Sequence, residues 1–419
     1  MNPEFFINNR TELMKKMSDK SLAVIYSGNV IRATADTEYP FEADRNFYYF
    51  AGIAAPGMFL LLYRDGPSFR EYLLIPRPDP SKEKWTGKMY SLHEASDATG
   101  VLNTLCTDEL DDLVYSMAAA GALRKFYMYY EPHRAFQSPS AGTIIRGEFM
   151  KKYPGTEIYN LSELTMPMRA VKTDEEIQTI KAAAKLTKDA FEVCMQSLRS
   201  GMREYEIQAV FEYAVKHRGG ALAFNSIAAS GRNALTLHYV RNADIMNEGD
   251  LVLMDCGASF EWYNSDVTRT FPVSGTFSEL QLKIYNIVLA ANEYIISSVR
   301  PGISCSQLNS LLTDYYNKEL ISAGLTEDES ETADCYYHGV SHSLGLDTHD
   351  VFDRRMPLEP GMVITVEPGL YFEKYGIGIR IEDDVLVTSA GCEVLTADII
   401  KKPEEIEEYM KKGRQESGQ

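Results

Sequence analysis

Positive charge is scarce in this sequence. Lysine and arginine total 42 against 60 aspartates and glutamates, a formal net charge of −18. Such a surface repels phosphate backbones and argues against a nucleic-acid partner. Cysteine is sparse as well: six in 419 residues, at 106, 194, 256, 305, 335 and 392, with no C-x-x-C pair. In a chain of this length that pattern predicts buried free thiols rather than a disulfide framework. No apolar run reaches the roughly 18 residues that span a bilayer, so no membrane partner is expected. Met1 to Lys20 lacks the apolar core of a signal peptide, and a soluble, cytoplasmic protein is the expectation. There is no G-x-S-x-G elbow to carry a serine nucleophile and no glycine-rich phosphate loop.

What is present suffices for packed interiors. Hydrophobic residues make up 45% of the chain and aromatic residues 11%. A chain of 419 residues is too long for one ordinary core, so two domains are expected. Residues 1–165 read as an α/β unit, with strand-like runs Leu22–Tyr26, Phe59–Tyr63, Tyr72–Ile75 and Phe126–Glu131. A second, α+β unit spans 172–419. Thr173 and Glu176 form a capping box that opens a long helix with Gly201 as its stop, and a second helix runs to Gly219-Gly220. Strand material then covers Ala221 to Val273. Ser278–Gln281 and Ser304–Gln307 predict two more helix starts before a strand-rich stretch, Tyr336 to Val387.

The second unit therefore repeats the order helix, helix, strands. Local sequence agrees. Gly249 lies six residues before Asp255, and Gly361 six before Glu367, with an apolar run between in each case. His238 and His349 precede those acids by 17 and 18 residues; Asp266 and Glu382 follow them by 11 and 15. Two related halves, each offering a histidine and two carboxylates, would place these groups around a shared axis.

Strand alternation adds to this. In Gly376–Asp383, Ile377, Ile379 and Ile381 share one face, and Arg380 and Glu382 share the other. The glycines at 376 and 378 leave that side open to close approach. Asp255 closes an apolar strand, where a carboxylate must take up a proton or find a cation. Asp266, Thr268 and Thr270 fall on one parity; Val267, Arg269 and Phe271 fall on the other. Taken singly, Asp255 reads as a cap and Asp266 as the partner of Arg269. As a set of four carboxylates on strands, they read as metal ligands. Of seven histidines, His238, His338, His342 and His349 lie beside these strands. His338 and His342 are four apart, but glycines and the absence of an intervening glutamate exclude H-E-x-x-H. An oxygen-rich set with one histidine suits manganese, cobalt or iron better than a thiolate zinc site. Two divalent ions ~3.5–4 Å apart would balance the charge, make hydroxide available near neutral pH and polarise a carbonyl. That is hydrolytic chemistry on an acyl group.

Five blocks, Leu251–Ala258, Ser265–Pro272, His338–Asp350, Thr365–Gly369 and Gly376–Asp384, together resemble the pita-bread metallopeptidases. That family includes methionine aminopeptidase, prolidase, aminopeptidase P and the metal-free creatinase. The resemblance implies a pita-bread catalytic domain with an internal pseudo-twofold repeat. It also implies five ligands, Asp255, Asp266, His342, Glu367 and Glu382, with Asp266 and Glu382 bridging. Manganese is the expected metal, with cobalt, iron or zinc as alternatives. Glu38–Phe41, Arg45–Ile53 and Asp79–Gly87 resemble the N-terminal domain of aminopeptidase P. In that family a tryptophan of the last segment enters a neighbouring subunit's site, and Trp85 stands there. This implies a homodimer or larger homo-oligomer and peptides with proline at the second position as substrates.

By the same resemblance, His238 and His349 would contact the scissile carbonyl. His338 and Tyr371 would wall a proline pocket. Arg380 would orient substrate or hold Asp255 and Glu382, Arg354 would meet a substrate carboxylate, and Glu367 would shuttle a proton. The alternatives are a prolidase, which shares every ligand and demands a dipeptide, and a pita-bread scaffold used only for protein binding.

Overall fold

The structure, a computed structural model, describes residues 1–119, 121, 123–131 and 138–416. The chain divides into two units, Met1–Met168 and Arg169–Gln419.

The first unit is built on one mixed sheet of six strands. In chain order these are β1 Ser21–Tyr26, β2 Phe59–Asp65, β3 Ser68–Ile75, β4 Asn103–Cys106, β5 Lys125–Met128 and β6 Glu157–Asn160. Their order across the sheet is β4-β3-β2-β1-β5-β6. β2 and β3 form an antiparallel hairpin, whereas β4, β5 and β6 add in parallel through helical crossovers. One face packs Leu22, Val24, Leu61, Leu74 and Phe126 into a core, with Phe149 of helix Ala141–Lys152 against them. The four strand-like runs of the sequence correspond to β1, β2, β3 and β5. β5 ends at Met128, before the expected Glu131. β4 and β6 are four residues each, too short to show an alternation.

The second unit repeats helix, helix, strands. Helices Asp174–Ser197 and Glu204–His217 precede strands β7 Ala221–Leu222, β8 Ile227–Ser230, β9 Leu251–Cys256, β10 Ala258–Phe260, β11 Tyr263–Asn264 and β12 Val267–Pro272. Helices Glu279–Ser298 and Cys305–Ser322 precede β13 Val363–Val366, β14 Gly369–Phe372, β15 Ile377–Arg380, β16 Asp383–Thr388 and β17 Gly391–Val394. All three expected capping boxes are present, at Thr173, Ser278 and Ser304. The first long helix ends at Ser197, ahead of Gly201, whose amide bonds Met246 instead. Between Tyr336 and Val387 strand begins only at Val363. The stretch holding His338 and His342 is irregular but runs along β13, through the bridge Ser343 to Ile364 and backbone bonds from Leu344 to Val363, Thr365 to His342 and Glu367 to Val340.

Alternation decides which face meets which layer. Val252 and Met254 of β9, Val267 and Phe271 of β12, Ile364 and Val366 of β13 and Ile379 of β15 all join one core. From the helices, Phe191, Phe211, Ile284, Val288 and Leu308 pack on them. Each such side chain contributes about 1.5–3 kcal/mol of transfer free energy. The opposite parity, Asp255, Thr268, Thr365 and Arg380, is thereby turned away from the helices.

Two glycines set close approaches. A Cβ on Gly257 would lie 1.9 Å from the Ser265 carbonyl oxygen, so only glycine lets the chain entering Asp266 lie against the end of β9. A Cβ on Gly378 would lie 2.4 Å from the Ala234 carbonyl oxygen. The openness read at Gly378 is thus filled by the 3₁₀ segment Gly231–Leu235 rather than left for a ligand.

Candidate metal centre

Each half presents its acids at equivalent strand ends. Asp255 is the fifth residue of β9, and Asp266 immediately precedes β12. Glu367 immediately follows β13, and Glu382 sits in the break between β15 and β16 rather than on a strand. In the first half Asp255 lies opposite Thr268; in the second, Val366 lies opposite Asp383. Glu367 and Glu382 therefore leave their strands at the same end. The amide of Glu382 donates to the Thr268 carbonyl at 3.1 Å, which joins the two halves at the site.

His342 completes the convergence. Its Nε2 lies 3.4 Å from Asp266 Oδ2, 3.7 Å from Glu367 Oε1 and 3.9 Å from Glu382 Oε1. Ligand atoms of Asp266, His342 and Glu382 all fall within 4.8 Å of one another, and all three residues are buried. The His342 ring places Nδ1 3.1 Å from the Ser343 carbonyl, which can only accept. Nδ1 therefore donates to that carbonyl, which leaves Nε2 as the ring atom turned to the acids.

The donors fit divalent cations. Oδ1 of Asp255 and Oδ1 of Asp266 are buried and have no hydrogen-bond partner. An orphaned anionic oxygen in the interior is costly, and a cation satisfies it. Burial, reinforced by Asp255 and Asp384, pushes the Asp266 carboxyl far above its usual range. Burial does the same for Glu382, with Asp266 and Glu367 adding to it. Glu367 is also raised by burial, although His342 and Arg380 oppose the shift. Such crowding of carboxylates without a counter-ion is what a pair of divalent ions resolves.

A second set of groups braces this cluster. Arg380 Nη2 donates to Asp255 Oδ2 at 2.6 Å, its Nε to Thr268 Oγ1 at 3.0 Å and its Nη1 to the Tyr371 hydroxyl at 2.9 Å. Thr268 in turn donates to Glu382 Oε2 at 2.6 Å. The Tyr371 hydroxyl lies 2.9 Å from His338 Nε2, and His338 Nδ1 lies 2.9 Å from the Gly339 carbonyl. Donors and acceptors match in one direction only: arginine to phenol, phenol to imidazole, imidazole to carbonyl. Burial, then the Arg380 charge, lowers His338 to about 4. The ring is neutral near pH 7.

His349 packs its ring against His342, centroids 4.3 Å apart, and keeps solvent contact. Partial burial, then His342 and His238, lowers it to about 4. His238 is exposed on the loop after Gly231–Leu235, near enough for its charge to bear on both His338 and His349. Arg354 is exposed and bears on Glu367 and His349. Trp85 belongs to the other unit, on helix Pro80–Thr86, and is 90% exposed.

Sequence reasoning missed some contributors. Thr268 links Arg380 to Glu382, and Thr365 Oγ1 accepts from the His342 amide at 3.1 Å. Asp384 accepts from Ser265 Oγ at 2.8 Å and from the Asp266 amide. Its parity, shared with Glu382, was the signal available. Arg269 does not pair with Asp266; its guanidinium lies on the helix-facing side and meets Asp383 at 2.8 Å.

Buried carboxylates with orphaned oxygens, held with one imidazole at the strand ends of two repeated halves, are a donor set suited to divalent metal ions. Comparisons with known proteins agree. The pattern of metallopeptidase family M24 matches residues 178–389, and that of the aminopeptidase P N-terminal domain matches residues 6–127. Xaa-Pro aminopeptidase of Escherichia coli K12 is 34% identical over 98% of both chains. The structure of E. coli aminopeptidase P with the inhibitor Pro-Leu superposes with a TM-score of 0.91, at 33% identity and 99% coverage of both chains. Its zinc-substituted complex with product superposes at 0.90, with the same identity and coverage. The chain belongs to metallopeptidase family M24, in its aminopeptidase P branch, and has that branch's α/β N-terminal domain and pita-bread catalytic fold.

Proposed function

We infer that this protein is a metallo-aminopeptidase that hydrolyses the bond between an N-terminal residue and a following proline. One observation carries this most: near-complete alignment, at 34% identity, with a Xaa-Pro aminopeptidase through both the N-terminal and the catalytic domain. Residues 1–165 are the aminopeptidase-P-type domain and 172–419 the catalytic one.

Asp255, Asp266, His342, Glu367 and Glu382 would hold two divalent ions, with Asp266, His342 and Glu382 at the centre of the cluster. Manganese is the resident metal in this reading, on the oxygen-rich donor set. When bound, the ions supply a water acidic enough to attack near neutral pH and polarise the scissile carbonyl. Asp255, held by Arg380, faces the free α-amine of the peptide. His349 and His238 donate to the carbonyl oxygen as its charge develops, and the low pKa of His349 keeps that imidazole neutral. Glu367 takes the proton of the attacking water and returns it to the proline nitrogen. His338 and Tyr371, rings 5.5 Å apart, wall the proline pocket. Arg354 meets a carboxylate further along the peptide.

Proline calls for such a pocket because its amide is tertiary, has no N–H to donate and fixes φ. The Xaa-Pro bond isomerises slowly, so only the isomer that fits is cut. The exposed Trp85 supports a homodimer or larger homo-oligomer. Six free cysteines support a reducing, cytoplasmic setting. Among the described residues, no helix is long and apolar enough to cross a membrane.

The metal-loaded protein should cleave Xaa-Pro-Yaa tripeptides several-fold faster than Xaa-Pro dipeptides when kcat/KM is compared. A marked preference for the dipeptide would make the protein a prolidase.

A further inference from the structure

Glu204 is the first residue of helix Glu204–His217, where an acid ordinarily faces solvent and complements the helix dipole. Here it is completely buried. The local capping work is done by its neighbour Glu206, whose carboxylate accepts from the Arg203 amide at 2.6 Å. The Glu204 carboxylate is instead turned onto the loop that carries His238. Oε1 accepts from the Ser230 amide and hydroxyl, both at 2.7 Å, and from Asn233 Nδ2 at 2.9 Å. Oε2 accepts from the Tyr239 hydroxyl at 2.8 Å and the Asp244 amide at 2.9 Å.

These donors are distributed along the loop with purpose. Ser230 ends β8 and is where the loop departs. Asp244 is where it returns, and its carbonyl accepts from the Glu204 amide at 3.0 Å. Tyr239 follows His238 directly. One carboxylate thus ties both ends and the middle of a 14-residue excursion, 231–244. Gln208, one turn further along the same helix face, adds a bond from Asn242 at 2.8 Å. Burial and Glu204 both raise the Tyr239 phenol, so it keeps the proton it donates. On the other side, Leu235, Leu237 and Tyr239 pack on a small cluster that contains Tyr371. An exposed histidine on an irregular loop would otherwise sample many positions. Five bonds to one buried anion remove that freedom.

We propose that Glu204 is a positioning residue for the peptidase reaction: its buried carboxylate fixes the 231–244 loop so that His238 stands at the substrate carbonyl. This rests on the reading of His238 as a substrate-contacting residue. Glutamine at 204 would put an N–H₂ in place of one acceptor oxygen among donors, breaking the clamp without changing volume. Tyr239→Phe removes one of the five bonds to the carboxylate, together with those the phenol oxygen accepts from Asn233 Nδ2 at 3.1 Å and the Ala243 amide at 3.5 Å, and leaves the buried carboxylate in place.

The test uses the manganese-loaded full-length protein and an Xaa-Pro-Yaa peptide. His238→Ala, Tyr239→Phe, Glu204→Gln and the double variant Glu204→Gln/His238→Ala are compared for kcat, KM and Mn²⁺ affinity. Misplacement of a reacting group by about 1 Å costs up to ~100-fold, so Glu204→Gln should lose roughly 10–100-fold in kcat. Tyr239→Phe should lose less, both with Mn²⁺ affinity unchanged. The double variant should lose no more than the larger single loss, because Glu204 acts through His238. If Glu204→Gln does not fold, Tyr239→Phe and its double with His238→Ala carry the same comparison. Additive losses, unchanged kcat in a folded clamp variant, or a loss that follows Mn²⁺ affinity would overturn the proposal. An inactive His238→Ala with fully active clamp variants would sink the clamp alone. A fully active His238→Ala would sink both the clamp and the role given to His238.

Discussion

Replacing Glu382 with alanine is expected to lower kcat/KM by about 10³-fold or more, since metal ions supply several kcal/mol of transition-state stabilisation. The fold should survive. The backbone at 382 is held independently, its amide by the Thr268 carbonyl and its carbonyl by Arg269 Nη1. The carboxylate, by contrast, is 2% exposed and crowded by Asp266 and Glu367, with its Oε1 3.9 Å from His342 Nε2. Without metal, burial and the neighbouring acids disfavour a charge on Glu382, so its removal costs little and the metal-free variant should melt close to the metal-free parent. Added Mn²⁺ should raise the parent's melting temperature and leave the variant's nearly unchanged. Thermal melts with and without Mn²⁺, read beside the rate, check this. A variant still stabilised by Mn²⁺ as strongly as the parent would remove Glu382 from the ligand set.

Arg269→Met should be the most damaging change to stability, at roughly 3–5 kcal/mol, the cost of breaking a buried ion pair by removing one partner. Arg269 and Asp383 are both fully buried and meet at 2.8 Å. The guanidinium also donates to the carbonyls of Ile400, Thr268, Glu382 and Ile399. Burial alone would raise Asp383, but Arg269 and Lys401 outweigh it and hold the carboxyl at about 2. Methionine fills much of the space and satisfies none of those acceptors. Asp383 would keep Lys401, 2.7 Å away, and Thr396, so the loss should stop short of complete unfolding. Urea unfolding of the two proteins measures the difference. A loss under about 1 kcal/mol would show that the pair contributes no more than an exposed one does.

Those two residues also show what a sequence can and cannot disclose. Helix starts at Thr173, Ser278 and Ser304 were readable because capping joins residues three apart. Strand parity correctly separated Asp266 and Thr268 from Arg269, since the side-chain period in a strand is two. It could not name the partner of Arg269, because Asp383 lies 114 residues away. Asp255 and Glu367 stood out through the internal repeat, and Glu382 through alternation with the isoleucines. Asp266 and His342 depended more on family resemblance. The irregular segment that carries His342 has no periodicity to read, and its position comes from the bridge to β13 and from Thr365. Gly378 marked a close approach correctly, but backbone at Ala234 fills the space. Glu204 reads as an ordinary first-turn acid, since nothing local reveals that its partners lie 26 to 40 residues on.

The proposed activity requires a pair of divalent ions held by Asp255, Asp266, His342, Glu367 and Glu382. The most direct test is to strip the protein with a chelator and titrate Mn²⁺ back by calorimetry while following hydrolysis of an Xaa-Pro-Yaa peptide. Two ions per chain should bind, the stripped protein should be inert, and the rate should return with occupancy. Full peptide hydrolysis by the stripped protein would contradict it.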